Sequence, residues 1–350
     1  MSYLGKISLK SVKSILFSIG VGVVLTSCSQ PPTPKAIAID GSSTVYPISK
    51  AAVEQFQASQ QPSVDISVEF SGTSGGFSKF CQGKTDISGA SRPIKATEMA
   101  KCNDNGISYI ELPIAFDALT VVVNPQNNWI DSITTEELKK IWEPAAQGKI
   151  NRWSQVRPGL PDRPLNLFGA GDQSGTFDYF TEALMGKAGE SRKDYVANED
   201  DELTVQGVRQ DPNAIGYFGL SYYENHKNEL KALAIDSGKG QGAVLPSLET
   251  VSDATYQPFT RPLFIYVNLQ KAQENPALQD FVQFYLEKAP EIVTAVNYIP
   301  LTQESYKINL VTLHKGEVGT VFEGHSQFDL TLTELQRKQA KVRVEADSNK

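Results

Sequence analysis

Three short runs of glycine and hydroxyl residues hold the chemical interest of this 350-residue chain: Gly41-Ser42-Ser43-Thr44, Ser71-Gly72-Thr73-Ser74-Gly75-Gly76 and Gly169-Ala170-Gly171-Asp172-Gln173-Ser174-Gly175-Thr176. Each stands directly ahead of a stretch whose apolar residues have helical spacing. The first amides of a helix have no intrahelical partner and carry about half a positive charge, so they hold an anion without a cationic side chain. Ser and Thr hydroxyls add donors beside them. The same residue types also make ordinary caps and turns, so one run alone says little. Three of them aimed at one cleft would surround a tetrahedral oxyanion.

The elements that must place these runs are strands. Lys35–Asp40 alternates and leads into the first run, after which Pro47–Gln57 carries Ile48, Ala52, Val53 and Phe56 on one helical face. Val64–Phe70 alternates ahead of the second run, which is followed by Phe77–Phe80. Leu165–Phe168 leads into the third, and Phe177, Phe180 and Leu184 then share a face. Strands alternating with helices predict an α/β architecture with largely parallel sheets, whose strand-end loops meet in one crevice. Two further apolar strands, Leu119–Val123 and Leu263–Val267, are each followed by an asparagine, Asn124 and Asn268, and read as paired crossovers between two lobes. On that reading lobe I holds residues 36–122 and 268–336, and lobe II holds 123–267, with Asn124 and Asn268 at the hinges. Thr134-Thr135-Glu136-Glu137 reads as a capping box that opens a helix through Leu138, Ile141 and Trp142. The following Gly148–Trp153 stretch reads as a turn with a docked aromatic. Residues 337–350 mix charges of both signs and read as a frayed, solvated tail.

Composition narrows the function. With 33 Lys plus Arg against 40 Asp plus Glu the formal charge is −7, and 40% of residues are hydrophobic, as in a folded soluble protein. No basic stripe is present to neutralise phosphates along a strand, so nucleic acid is not an expected partner. The N-terminus has Lys6, Lys10 and Lys13 ahead of the apolar run Ile15–Leu25, too short for a permanent membrane helix of about 20 residues, and reads as an export signal. Its end, Leu25-Thr26-Ser27-Cys28, resembles the bacterial lipoprotein signal, which implies cleavage before Cys28 and a lipid on its thiol. Removal of residues 1–27, with three lysines and no acid, takes the charge to −10 and leaves 323 residues. Residues 28–35 then form a proline-rich tether, and several acyl chains would hold the protein at a membrane stably. The two remaining cysteines, Cys81 and Cys102, are expected to be bridged in an oxidising compartment. Metal binding is the weaker alternative, since there is no CxxC and His226, His314 and His325 lack ligand spacing.

Taken in order, Asp40-Gly-Ser-Ser-Thr-Val-Tyr-Pro47, Phe70-Ser-Gly-Thr-Ser-Gly-Gly76, Asp86-Ile-Ser-Gly-Ala-Ser-Arg-Pro93 and Asp172-Gln-Ser-Gly-Thr-Phe177 resemble the phosphate-binding proteins that serve ABC-type phosphate importers, the PstS family, and within it the cyanobacterial SphX-like branch. The likeness extends over nearly all of the mature chain, including Ile133–Leu138, Gly148–Trp153 and Ala214–Phe218. It implies a two-lobed periplasmic-binding-protein fold of type II, inorganic phosphate held between the lobes without a cofactor, delivery to membrane permease subunits, a periplasmic, lipid-anchored location and a monomer. Carried over motif by motif, it places Ser43, Thr44 and the amide of Val45 at the ligand from the first run, Thr73 and Ser74 from the second, and Ser174, Gly175 and Thr176 from the third. Two positions depart from the family pattern. Arg92 stands where an Asp is usual after Ala-Ser, and Ala170 stands where an Arg is usual two residues before Asp172. The expectation is therefore that Arg92 supplies the cation and that Asp117 accepts the ligand's own proton. Such a carboxylate would repel a fully deprotonated oxyanion and welcome one that still carries a proton.

Other readings compete. A receptor for sulfate, molybdate or a phosphonate would share the fold and loops. Gly72-Thr73-Ser74-Gly75-Gly76 is also compatible with the nucleophile loop of a serine hydrolase, but a hydrolase needs a base, and His226, in an exposed-looking Asn-His-Lys-Asn stretch, shows no partner motif. A purely structural surface lipoprotein would have no saturable small-ligand site.

Overall fold

The computed structural model describes residues 36–59, 64–328 and 330–348, with 342–348 as backbone only. The expected signal and Cys28 lie outside these residues. Three strand–helix units come first: β1 (Ile37–Gly41), α1 (Tyr46–Ser59), β2 (Ile66–Val68), α2 (Thr73–Phe80), β3 (Ile87–Ala90) and α3 (Ala96–Asp104). The long strand β4 (Tyr109–Val123) follows, and then β5 (Ser132–Thr134), α4 (Thr135–Trp142), β6 (Asn166–Ala170), α5 (Gly175–Met185), β7 (Val196–Asn198), α6 (Asp201–Gln210), β8 (Ala214–Gly219) and α7 (Leu220–His226). The chain continues through β9 (Lys231–Ala232), β10 (Ala234–Asp236), β11 (Ala243–Val244), α8 (Leu248–Ser252) and β12 (Thr260–Asn268). It ends with α9 (Leu269–Glu274), α10 (Pro276–Ala295), β13 (Ile299–Pro300), α11 (Gln303–Lys315) and α12 (Leu332–Ser348).

The main sheet runs β2-β1-β3-β12-β4-β8-β6-β7. At its two ends the strands are parallel, β1 with β2 and β3, and β6 with β7 and β8. In its middle β12 and β4 run antiparallel to their neighbours. All fifteen residues of β4 and all nine of β12 are buried, the charged Glu111, Asp117 and Arg261 among them. β4 therefore passes through both lobes. Its residues up to Ala118 pair with β12, and Leu119–Val123 pair with β8. The strand partners of β4 thus change at 118/119, while β12 pairs with β4 from Thr260 to Asn268 and with β3 from Phe264 to Val267.

Both asparagines are engaged at helix ends. The Asn124 amide donates to the carbonyls of Val208 and Arg209 at 3.1 and 2.7 Å, closing the end of α6, and Asn268 caps α9 by accepting the Lys271 amide at 3.1 Å.

The core is aromatic in both lobes. Phe56 of α1 meets Phe281 and Phe284 of α10 edge-on, each at 5.3 Å. In lobe II, Trp142 meets Phe180, Tyr195 and Tyr217, and Phe180 stacks on Tyr217 at 3.8 Å. The capping box ahead of α4 is formed, with Glu137 N donating to Thr134 Oγ1 and Thr134 N to Glu137 Oε2, both at 3.0 Å. Trp153 is buried and donates to the Asn213 carbonyl. Cys81 and Cys102 are joined in a disulfide that ties the end of α2 to α3.

The C-terminal stretch differs from expectation. Residues 337–348 are helical, as part of α12, and not a frayed tail. Thr331 and Glu334 form a capping box at its start. Leu335 is fully buried, and the Gln339 amide donates to Asn309 of α11 at 2.6 Å. Among the described residues no helix is long and apolar enough to cross a membrane, and no His, Cys, Asp or Glu group could hold a metal ion.

Candidate functional site

The three strand-end runs meet between the lobes. The first enters α1 through a tight turn in which Val45 N donates to Ser42 O at 3.1 Å and Thr44 N to Ser42 Oγ at 3.2 Å. Ser43 is buried, and its carbonyl accepts the Tyr222 hydroxyl of lobe II at 3.2 Å. The second run is shorter as a loop than its sequence suggests, because α2 begins at Thr73 itself. Gly72 precedes it with φ 78°, a left-handed conformation that only glycine adopts without strain, and a Cβ there would lie 2.4 Å from the Gln173 carbonyl of lobe II. In the third run Ser174 is the N-cap of α5, its hydroxyl accepting the Thr176 amide at 3.1 Å.

Two of the expected hydroxyls, Thr44 from lobe I and Thr176 from lobe II, stand 3.3 Å apart. Between them and Asp117 lies a residue that the sequence reading passes over. Arg261 donates from Nη1 to Thr176 Oγ1 at 3.0 Å, from Nη2 to Thr44 Oγ1 at 3.3 Å, and from Nε and Nη2 to Asp117 Oδ2 at 3.2 and 2.8 Å. Its side chain and that of Asp117 are both fully buried. Burial pushes the Asp117 carboxyl up, while Arg261 and the Ala118 and Leu220 amides hold its charged form. Asp117 is thus turned toward Arg261 and orients it. The sequence signal for Arg261 is a lone cation at the mouth of the apolar strand Leu263–Val267.

Thr73 lies in a second group. Its Oγ1 is 3.2 Å from Ser91 Oγ and accepts the Ser91 amide, and both hydroxyls press on Gly175 across the cleft. Arg92 lies in a third group, with Ser74, and is not brought to Thr44 and Thr176. All five of its N–H donors are used by protein groups: Asp178, the Pro93 carbonyl, Ser74 and both oxygens of Glu98. Burial works against its charge, and the Glu98 and Asp178 carboxylates more than reverse this, raising it above the usual arginine value.

Asp201, at the start of α6, is a second residue that the sequence reading misses. It is 2% exposed, and its Oδ2 has no hydrogen-bond partner among the described residues. Burial raises its carboxyl to about 7, with Arg261 acting against the rise and Asp117, Asp200 and Glu199 reinforcing it. Arg261 and Asp117 are therefore its charge neighbours.

Residues 28–289 match the family model of the PBP superfamily domain. The protein SphX of a Synechocystis species is 58% identical over 316 residues, covering 90% of this chain and 93% of the relative. The chain belongs to the PBP superfamily, in the branch of the SphX and PstS proteins. The phosphate-binding protein PstS of Staphylococcus saprophyticus is 39% identical over 269 residues, covering 76% of this chain and 81% of that one. A crystal structure of a "possible phosphate binding protein" from Planctomyces limnophilus matches at 44% identity and a TM-score of 0.61, covering 81% of this chain and 99% of the other. The two-lobed α/β architecture is that of this superfamily, whose type II members it resembles.

Members of this branch are transport receptors and not enzymes. The Ser74 hydroxyl accepts from the Arg92 guanidinium at 2.9 Å and donates to the Asp178 carboxylate at 3.5 Å. His226 is engaged elsewhere, half-buried between Glu202 and Glu229 at 3.1 and 3.2 Å, and is not the exposed group its polar neighbours suggest.

Proposed function

We infer that this chain is a substrate-binding receptor that captures inorganic phosphate outside the cytoplasmic membrane and delivers it to the permease of an ABC importer. The observation that carries this reading is Arg261, a fully buried cation that holds one hydroxyl from each lobe, Thr44 and Thr176, and is itself oriented by Asp117. A guanidinium preset in a desolvated site adds charge-assisted bonds to an oxyanion without losing rotamer freedom at the moment of binding. Four of its five N–H donors have protein partners, which leaves one on Nη1 for a ligand. Thr73, Ser91, Ser174 and the first amides of α5 complete a set of neutral donors. Micromolar capture needs about −8 kcal/mol, within reach of several such bonds in a closed cleft.

On this reading Arg261 takes the cationic role expected of Arg92, and Asp201, with its unpartnered oxygen beside Arg261, takes the proton-accepting role expected of Asp117. Such a carboxylate favours phosphate, which carries a proton near neutral pH, over sulfate, which does not. Cys28 bears the lipid that anchors the receptor to a membrane, the Pro-rich segment 29–35 is its tether, and the receptor acts as a monomer. Its chemistry ends at capture and release.

Calorimetric titration of the soluble mature chain, freed of carried-over ligand, tests the reading with phosphate and then sulfate at neutral pH. One-to-one binding of phosphate alone is expected. Binding of sulfate instead would keep the fold and overturn the ligand. Thr73→Ala and Ser174→Ala, with the fold intact, should each weaken phosphate binding, and unchanged affinity in both would sink this set of donors.

A further inference from the structure

A charged contact between the lobes stands apart from the ligand donors. Arg92, in the loop after β3, is 1% exposed and is gripped within lobe I by Glu98, Nη1 to Oε2 at 2.8 Å and Nη2 to Oε1 at 2.7 Å. Its Pro93 and Ser74 contacts are also within lobe I, at 3.0 and 2.9 Å. Nε alone crosses the cleft, to Asp178 Oδ2 at 2.8 Å. Asp178 lies in the first turn of α5, in lobe II, and is 3% exposed. The same oxygen receives Lys95 Nζ at 2.7 Å and faces Ser74 Oγ at 3.5 Å. Beside them Ser74 N donates to the Gln173 carbonyl at 2.9 Å, a backbone bond between the lobes.

We propose that Arg92 and Asp178 form a latch that holds the lobes closed, Arg92 being preset in lobe I and Asp178 being carried into place by closure. The proposal rests on the reading that the ligand is held between the lobes.

The two partners differ in what opening does to them. Arg92 keeps its Glu98 bonds when the lobes part, so no buried cation is stranded in the open form. Asp178 returns to water. On closure Asp178 loses its hydration, and Arg92 and Lys95 compensate for that loss only in the closed geometry. The guanidinium is already oriented by its paired bonds to Glu98, so little side-chain entropy is lost when Asp178 arrives. Asp178 also sits on the helix that presents Thr176, so the latch draws that hydroxyl toward lobe I. Ligand affinity scales with the stability of the closed form, and a contact made after encounter acts mainly on the dissociation rate.

Asp178→Asn removes the charge and keeps the shape and one acceptor. Lys95→Met, at a partly exposed position, removes one contact to the same oxygen and guards against a folding failure of the first variant. Phosphate association and dissociation rates are measured by stopped flow for both variants and the wild type. Asp178→Asn should dissociate roughly tenfold faster, the effect of one charge-assisted hydrogen bond, with little change in association. Lys95→Met should shift the same way by roughly two- to threefold. Unchanged dissociation in both variants overturns the latch. So does tighter binding by Asp178→Asn, the result expected if Arg92 were released to grip the ligand. Failure of the wild type to bind phosphate strikes the functional reading instead. The latch is then read from energy transfer between dyes on the two lobes, where a longer distance in Asp178→Asn supports it and an equal one overturns it.

Discussion

Asp117 and Arg261 are partners directly across the β4–β12 ladder, 144 residues apart in sequence, and form an ion pair in which neither side chain touches solvent. The pair sits where β4 changes strand partners between lobes. The same guanidinium that Asp117 orients holds Thr44 from one lobe and Thr176 from the other. The crossover and the proposed ligand cation are therefore one structural unit.

Arg261→Lys tests that unit. Lysine keeps the charge beside Asp117, so the fold should survive, but it lacks the planar fork that reaches Asp117, Thr44 and Thr176 together. Phosphate affinity should fall tenfold or more, about the effect of losing one charge-assisted bond. Arg261→Met should do worse, because it strands a buried carboxylate at a cost of about 3–5 kcal/mol in stability. Calorimetry and urea unfolding separate the two effects, and full affinity in Arg261→Lys would remove Arg261 from the site.

Much of this arrangement is legible in the sequence, and the unread part has a common cause. Strand–loop–helix units show through local periodicity, so β1, α1, the capped α4 and the N-cap of α5 lie close to where their patterns put them. Thr44 and Thr176, singled out by the resemblance of their loops to the family motifs, stand together across the cleft. Arg261 and Asp178 are not singled out, because their partners are 144 and 86 residues away and only strand register and lobe closure bring them together. Arg92 looks like a ligand group from its loop, yet Glu98, six residues on, already occupies it. The helix α12 is missed for a different reason. Its contacts come mostly from polar residues, with Leu332 and Leu335 the apolar ones, too few to register as an apolar face.

Asp201 gives a pH-dependent prediction. Its folded carboxyl is raised to about 7 by burial, against about 3.9 in an unfolded chain. Between those values the folded state holds a proton that the unfolded state has lost, so stability falls as pH rises from about 4 to 7. Asp201→Asn removes this dependence. It should be more stable than the wild type at pH 8, by up to about 4 kcal/mol, and nearly equal at pH 4. Thermal melts at the two pH values check it. On the proposed role the same variant should also discriminate less between phosphate and sulfate, and unaltered selectivity would return that role to Asp117.

The disulfide separates stability from binding. Cys81–Cys102 closes a loop with a sequence separation of 21, and its loss should cost about 3 kcal/mol in the chain-entropy model. The Cys81→Ser, Cys102→Ser double variant should unfold at lower urea while keeping its phosphate affinity, since Cys81 lies at the opposite end of α2 from Thr73. A matching fall in affinity at a temperature where the variant is folded would show that the bridge also positions the start of α2, where Thr73 stands.

Gly175 is where closure itself can be blocked. It begins α5 with an ordinary helical backbone, so alanine fits its conformation and slightly favours the helix. The obstacle lies in the other lobe: a Cβ on Gly175 would come within 2.4 Å of Thr73 Oγ1, 2.5 Å of Ser91 Oγ and 2.9 Å of Thr73 Cβ. Those atoms are themselves buried and bonded to each other, so they cannot swing aside as a flexible side chain would. Gly175→Ala should therefore fold with undiminished stability in the absence of ligand, yet stand with its lobes held apart. Phosphate affinity should drop by a hundredfold or more, since both the Thr44–Thr176 pair and the Arg92–Asp178 contact require full approach. Small-angle scattering with saturating phosphate provides the check. The wild type should contract and the variant should not, and a contracted variant with high affinity would mean that closure stops short of the contact seen here.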